Sequence, residues 1–115
     1  MSFNINGGAI VTNRVKLTGN TVTTIFAATQ RTTILGIIAT ENNGGTPNLS
    51  LEVYDGTNSF YLRKAVAMVA GTAVIFNEPF ELQAGYSIRA TSSDGSGHVD
   101  CHVSYINPVA ARGGV

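Results

Sequence analysis

Apolar and polar residues alternate one by one along most of this chain, which is the period of a β-strand with one buried face. The clearest case surrounds a turn at 83–85. Before the turn, Phe80 and Leu82 share one face, and after it Ile88 and Ala90 continue the alternation with polar neighbours. Two short strands joined in this way need a second layer over their apolar face, so the unit predicts a sandwich or a barrel.

The same alternation recurs along the chain, and no run has the period of a helix. Turn residues separate the runs, most clearly Asp55-Gly56, a pair that supplies the positive φ of a tight hairpin. In addition to the pair around 83–85, we predict strands at 14–18, 21–28, 32–40, 48–54, 59–67, 72–76 and 98–105. The sequence therefore predicts an all-β, single-domain antiparallel β-sandwich or jelly roll of about eight short strands.

The run at 32–40 differs from the others because it is apolar on both faces, which predicts the central and most buried strand of a sheet. Gly36 lies inside this run and predicts a bulge or the close approach of another backbone. The following segment, Glu41–Pro47, is rich in Asn and Gly and predicts a loop.

Residues 1–13 and 107–115 flank the predicted domain at 14–106 and lack its regular alternation, so we interpret them as an extended N-terminal arm and a C-terminal tail. Extended arms can add strands to a neighbouring subunit. We therefore expect contacts with partners on the apolar residues of the arm and on the tail. The residues concerned are Phe3, Ile5, Ile10, Pro108, Val109 and Arg112.

Charged residues make up only 12% of the 115 residues, and their formal charges sum to zero. Nucleic acid is not expected as a partner, because phosphate binding requires an excess of Lys and Arg. A membrane is not expected either, since no apolar run has the length of a spanning helix. No signal peptide is visible, so we expect synthesis in a cytoplasm. A surface poor in charge favours association with other protein chains.

Metal chemistry is considered for the last strand, where His98, Asp100 and His102 share one face. Two imidazoles and a carboxylate can hold Zn²⁺, but metal sites usually take a further ligand from another element, so an exposed polar face is the favoured interpretation. Cys101 points to the opposite face and is interpreted as a buried structural thiol rather than a nucleophile. We predict no metal and no cofactor.

Acidic and aromatic side chains offer weaker alternatives. Glu78 and Glu81 could form an acid–base pair, but two solvated charges are the favoured interpretation. Asp55, Asn58 and Asp94 lie in loops, yet too sparsely for a calcium loop. Aromatic side chains could stack on sugars, which keeps carbohydrate binding as an alternative. The aromatic residues are Tyr54, Phe60, Tyr61 and Tyr86. No group of residues predicts an enzyme.

Three segments resemble those of small β-sandwich virion proteins of tailed bacteriophages. Thr21–Ala28 resembles an entering strand, Thr32–Asn42 a buried strand that ends in a polar loop, and Phe80–Ala90 two strands joined at a glycine corner. The resemblance extends over roughly residues 14–105. The resemblance transfers no catalytic residues and implies a role in assembly.

The first hypothesis is therefore a capsid decoration or cement protein that is assembled in the host cytoplasm and resides in the virion. Its partners would be the major capsid protein or other virion proteins, and it would form a homo-oligomer, with a trimer favoured. A neck, tail or head-fibre component is the alternative within the same class. A carbohydrate-binding module is the alternative from a different class.

Overall fold

The structure is a computed structural model of the chain, and it describes residues 9–17, 20–93 and 98–107. Nine strands form within these ranges. They are β1 (Ile10–Leu17), β2 (Thr23–Ala27), β3 (Thr32–Glu41), β4 (Asn48–Tyr54), β5 (Ser59–Ala67), β6 (Ala73–Phe76), β7 (Phe80–Leu82), β8 (Ser87–Ser92) and β9 (Val99–Ile106). The described residues contain no helix that is long and apolar enough to cross a membrane.

The strands form two antiparallel sheets that pack face to face. One sheet has the order β1-β9-β3-β6, with β7 also paired to β3, and the other has the order β2-β8-β4-β5. β6 and β7 pair with successive parts of one edge of β3, so they act as a single strand interrupted at 77–79. Counted in this way, eight strands form two four-stranded sheets in the order of a jelly roll. The predicted fold class is confirmed.

β3 holds the first sheet together because it pairs with β9 along one edge and with β6 and β7 along the other. Its register with β9 shifts between Ile34 and Gly36, which is the bulge that the glycine predicts. A Cβ atom at Gly36 would lie 3.2 Å from the carbonyl oxygen of Phe76. Glycine therefore also allows a close approach of the two backbones.

The core lies between the two sheets and is formed by alternate residues of the strands. On β9, for example, Val99, Cys101 and Val103 are buried, as the alternation predicts. The other buried apolar residues are Leu17, Ile25, Ala28, Ile34, Ile37, Ala39, Leu49, Leu51, Met68, Phe76, Leu82, Ile88 and Ala90. Aliphatic side chains dominate this core, and they come from strands of both sheets.

Strand bounds largely follow the sequence prediction, and those of β4 and β5 coincide with it. β1 is the main exception. It begins at Ile10, four residues before the strand predicted at 14–18, because residues 10–13 continue the pairing with β9. This part of the predicted arm is therefore a strand of the first sheet. The remaining parts of the arm and tail, 1–8 and 108–115, lie outside the described residues.

The two ends of the described domain lie side by side. Ile10 pairs with Ile106, and the backbone amide of Asn107 donates a hydrogen bond to the carbonyl oxygen of Ala9 at 2.7 Å. The terminal segments on either side are therefore attached to the domain at the same corner.

Two adjacent isoleucines of β3 lie on opposite faces of the strand. Ile37 is fully buried, whereas Ile38 is 42% exposed, so the strand predicted to be the most buried is open to solvent on one face at this position. We expect Ile37→Ala to lower the free energy of unfolding by about 2–5 kcal/mol, because it leaves a cavity in the core. Ile38→Ala is the matched control and is expected to cost less than about 1 kcal/mol. Urea unfolding of both variants measures the difference, and equal losses would contradict the assignment of the two faces.

Candidate interaction surfaces

The residues predicted to contact partners fall mostly beyond the described part of the chain. Ile10 is the exception: it is the first residue of β1, is 53% exposed and lies opposite Ile106. The other five are Phe3, Ile5, Pro108, Val109 and Arg112, and they lie outside the described residues. Their role in contacts stays a prediction.

The polar face of β9 is engaged with neighbouring elements. Asp100 accepts a hydrogen bond from Lys16 at 2.5 Å and another from the side-chain amide of Asn42 at 2.7 Å. The bond from Lys16 contributes most to lowering the pKa of the Asp100 carboxyl. His102 lies opposite Arg14 on β1. Within the described ranges no three His, Cys, Asp or Glu side chains are placed to hold one metal ion. Asp100 therefore connects β9 to β1 and to the loop after β3 through hydrogen bonds.

Cys101 lies on the buried face of β9, as predicted. The pKa of the Cys101 thiol is raised to about 12, mainly by burial and to a smaller extent by the negative charge of Asp100. Because the thiolate is the reactive form of cysteine, this thiol is inert at neutral pH.

Glu41 departs from the sequence prediction, which assigns it to a loop. It is the last residue of β3, and only 1% of it is exposed. Its carboxylate accepts hydrogen bonds of 2.8–3.0 Å from the backbone amides of Asn43, Gly44, Gly45 and Gly71. One carboxylate therefore joins the loop after β3 to the turn before β6. The bond from Gly71 contributes most to lowering the pKa of Glu41, and burial opposes it.

The lowered pKa of Glu41 predicts a dependence of stability on pH. The folded state favours the carboxylate, so its contribution is complete above the ordinary pKa of 4.5 and is lost as the pH falls through the lower folded value. We expect Glu41→Gln to be less stable than wild type at pH 7, because an amide cannot accept all four bonds. The difference should shrink in acid.

Chemical unfolding of both proteins between neutral and acidic pH measures this difference. Comparing the two curves removes the contributions of other carboxyls, such as Asp55 and Asp100, whose pKa values are also lowered. A difference that stays constant below pH 4.5 would contradict the role of the Glu41 charge.

Glu52 is a second carboxylate whose environment differs from the prediction. The alternation along β4 predicts it in solvent, but it is only 4% exposed on the outer face of the second sheet. Arg89 donates to it from Nε at 2.9 Å and from Nη2 at 2.5 Å, and the Ser59 hydroxyl donates at 2.6 Å. The guanidinium also stacks on Tyr54, 3.7 Å from the ring centroid. This cluster joins β4, β5 and β8.

Each tyrosine considered for sugar stacking has its own structural role. The ring of Tyr54 carries a guanidinium, and the Lys64 ammonium lies 5.0 Å from the centroid of Tyr61. Tyr86 packs against the core. Phe60 and Tyr61 are the most exposed aromatic residues in the described part of the chain, at 57% and 50%, and both lie on β5. The four rings therefore do not form one flat platform.

The acidic residues considered for catalysis or calcium binding are separated from one another. Glu81 pairs with Arg31 at 3.1 Å. Glu78 is exposed in the interruption between β6 and β7. Asp55 accepts the backbone amides two and three residues later, at 2.8 and 2.7 Å, and so caps its own turn. Asp94 lies outside the described residues.

The Glu52–Arg89 pair predicts a strongly non-additive response to mutation. Arg89→Leu leaves a buried carboxylate without its counter-charge, and we expect a loss of about 2–4 kcal/mol in the free energy of unfolding, reduced from the fully buried case because Arg89 is partly exposed. The double variant Glu52→Leu/Arg89→Leu removes both charges and should be more stable than Arg89→Leu alone. Denaturant unfolding of the two variants provides the comparison. A double variant that is less stable than the single one would refute the assigned pairing.

Exposed apolar side chains occur on both sheets of the sandwich. Seven large ones are exposed among the described residues: Ile10, Val22, Ile38, Phe60, Tyr61, Val69 and Ile75. Ile38 and Ile75 oppose each other on β3 and β6, Phe60 and Tyr61 lie on β5, and Val69 lies in the turn between β5 and β6. β5 and β6 are edge strands of different sheets, on the side opposite β1 and β2. The Ile38–Ile75 pair on the outer face of the first sheet and the aromatic residues of β5 at the edge of the second sheet are therefore two candidate contact surfaces.

No protein-family profile matches the sequence, and no curated protein matches it. Two crystal structures of a pentameric capsid protein from metagenomic phage sequences are similar over 85% of this chain, at 20% identity and TM-scores of 0.52 and 0.53. A chain of the T13 IBDV viral particle is similar over 87% of this chain and 31% of its own length, at 11% identity and a TM-score of 0.52.

These likenesses show a shared fold. The chain spans 59% and 62% of the length of the two pentameric capsid proteins, or about three-fifths. The strand order and the comparisons together define the chain as a jelly-roll β-sandwich.

Proposed function

We propose that this protein is a structural component of a tailed-phage virion, a decoration or cement protein that binds the head shell. The observation that carries the proposal is the jelly-roll strand order, together with the similarity in fold, over 85% of the chain, to a capsid protein from phage sequences. Fold alone does not fix function. The surface of the domain supplies the second argument.

That surface suits contact with proteins. Three ion pairs and the capping bonds of Glu41 and Asp55 occupy most acidic side chains in the described ranges. Few acidic groups are left to bind a soluble ligand, while aliphatic and aromatic side chains remain exposed on the β5–β6 side. An apolar surface of this composition is typical of a protein–protein contact.

Both terminal segments are attached at one corner of the domain, which also suits contact with a partner protein. Because Ala9 and Asn107 are hydrogen-bonded neighbours, residues 1–8 and 108–115 are attached where they can reach the same partner. Phe3 and Ile5 in one segment and Val109 in the other are the contact residues we propose. Binding only to the assembled shell would stabilise the shell by mass action.

A homotrimer is the proposed oligomer, and a pentamer is the alternative suggested by the pentameric state of the similar capsid proteins. We expect light scattering after size exclusion to give three times the 12.0 kDa of one chain. A mass of five times that value would favour the alternative, and a monomer would rule out a pre-formed ring in solution.

The location is tested on virions of the phage whose genome encodes the chain. We expect the protein in purified particles, and we expect purified protein to rebind heads from which it has been stripped. Deleting residues 1–8 together with 108–115 should abolish rebinding while β1 and its pairing with β9 stay intact. The control is a full-length Phe3→Ser variant, which should weaken rebinding less. Absence from particles, or full rebinding without both segments, would overturn the corresponding part of the proposal.

A further inference from the structure

The sandwich has four strand edges, and three of them are protected against pairing with another chain. β2 is only five residues long and carries a bulge. β6 and β7 are short, and Pro79 lies in the gap between them. β1 carries two exposed cations, Arg14 and Lys16. Short strands, bulges, proline and charge are the devices by which soluble proteins block an edge.

The start of β5, up to its first bulge at Leu62, has none of these devices. β5 is nine residues long and pairs only with β4 among the described strands, so the backbone groups along its other edge have no partner strand. Its first four residues, Ser59–Leu62, contain no charge, proline or glycine, and they include the two most exposed aromatic side chains, Phe60 and Tyr61.

The second half of β5 is blocked. The register with β4 shifts between Leu51 and Glu52, at Leu62, and again between Leu49 and Leu51, where Ala65 adopts a positive φ of 50°. The Ala65 amide donates to the Ser50 hydroxyl at 2.9 Å instead of continuing the ladder. An added strand could therefore pair regularly only from Ser59 up to the first bulge, at Leu62.

Charge along β5 favours one orientation of such a strand. Asp55 lies in the turn before β5, and the exposed Lys64, next to Arg63, lies near its other end. The Asp55 carboxylate bonds only to backbone amides of its own turn, and Lys64 has no carboxylate partner among the described residues. An antiparallel copy of the same strand would place each Lys64 beside the partner's Asp55 turn, whereas a parallel copy would place like charges together.

We propose that the open edge of β5 binds the same edge of a second copy of this chain, antiparallel and about a two-fold axis, so that the second sheets of both copies become continuous. A two-fold contact is self-complementary by symmetry. Residues that oppose each other across the two copies of β5 must lie on the same face of the joined sheet. The two-fold axis therefore passes through the position of Phe60 or that of Tyr61. In both registers Lys64 lies beyond the paired residues, at the end of the ladder where the partner's turn with Asp55 lies.

This contact is separate from the interface that would form the trimeric or pentameric ring of the proposed function. A trimer or pentamer uses two different surfaces of each subunit, whereas the β5 contact uses one surface twice. On a shell, it would link neighbouring copies or neighbouring rings to each other.

Single cysteines at the proposed axis provide the test. Cys101 is buried and its thiol is inert, so an introduced cysteine is the only reactive one among the described positions. We would place cysteines at Ser59, Phe60, Tyr61 and Leu62, one at a time, oxidise the folded proteins with diamide and separate the products on non-reducing gels. We expect a covalent dimer from Phe60→Cys or Tyr61→Cys, because only residues at the axis meet their own copies within disulfide range.

Val22→Cys is the matched control, since Val22 is 49% exposed and lies on the other side of the sandwich. Circular dichroism confirms the fold of each variant. Lys64→Glu, combined with the cross-linking cysteine, should reduce the yield at low salt by up to roughly tenfold, because two charge pairs change sign. The proposal is overturned if no folded β5 variant forms more dimer than Val22→Cys.

Hydrogen exchange gives a readout that does not depend on cysteine. The outward amides of 59–62 should exchange slowly at high protein concentration and quickly on dilution. Fast exchange at every concentration would overturn the β5 contact, while a trimeric or pentameric mass would still support the ring. The two proposals therefore fail independently.

Discussion

The pairing of β3 on both edges is the constraint on which the rest of the fold depends. β9 occupies one edge of β3, and β6 and β7 share the other. The shared edge requires the chain to leave β3 at 77–79 and return to it, and the backbone of Phe76 comes closest to β3 at Gly36. Without that bulge, the first sheet would lose either the close packing of β6 or its register with β9. The second sheet packs on the face that β3 and its neighbours present.

Buried carboxylates then fix the parts of the chain that strand pairing does not reach. Glu41 binds four amides from two connections, and Glu52 binds Arg89 and Ser59 across three strands. Both groups are satisfied, as buried polar groups need to be. These buried carboxylates also bear on how few charges the surface of the domain carries. Two of the chain's seven acidic side chains, Glu41 and Glu52, are buried in the domain, which leaves fewer charges at its surface.

The sequence predicts the fold well where alternation is local and poorly where a partner from elsewhere decides the outcome. β4, β5 and the buried stripe of β9 follow from period-2 patterns alone. The start of β1 does not, because residues 10–13 become a strand only through pairing with β9.

The burial of Glu41 and Glu52 could not be predicted for the same reason. Their partners, Gly71 and Arg89, lie 30 and 37 residues away. A local signal did exist for Glu41, since an acidic residue before Asn-Asn-Gly-Gly can accept the free amides of that turn. For the candidate surface, the sequence identifies the exposed aromatic residues but not the edge on which they lie. The proposed contacts of Phe3, Ile5, Pro108, Val109 and Arg112 are outside the described residues and stay predictions.

The adjacency of Ala9 and Asn107 determines how the domain carries mechanical load. Forces that pull the two ends apart act on the Ile10–Ile106 pair first and open the β1–β9 ladder one pair at a time, which is the weak direction of an antiparallel ladder. Forces that pull both ends the same way pass through a single corner and leave that ladder unloaded. A subunit held to a pressurised shell by both terminal segments would experience the second kind of force, so tension in its tethers would bypass its core.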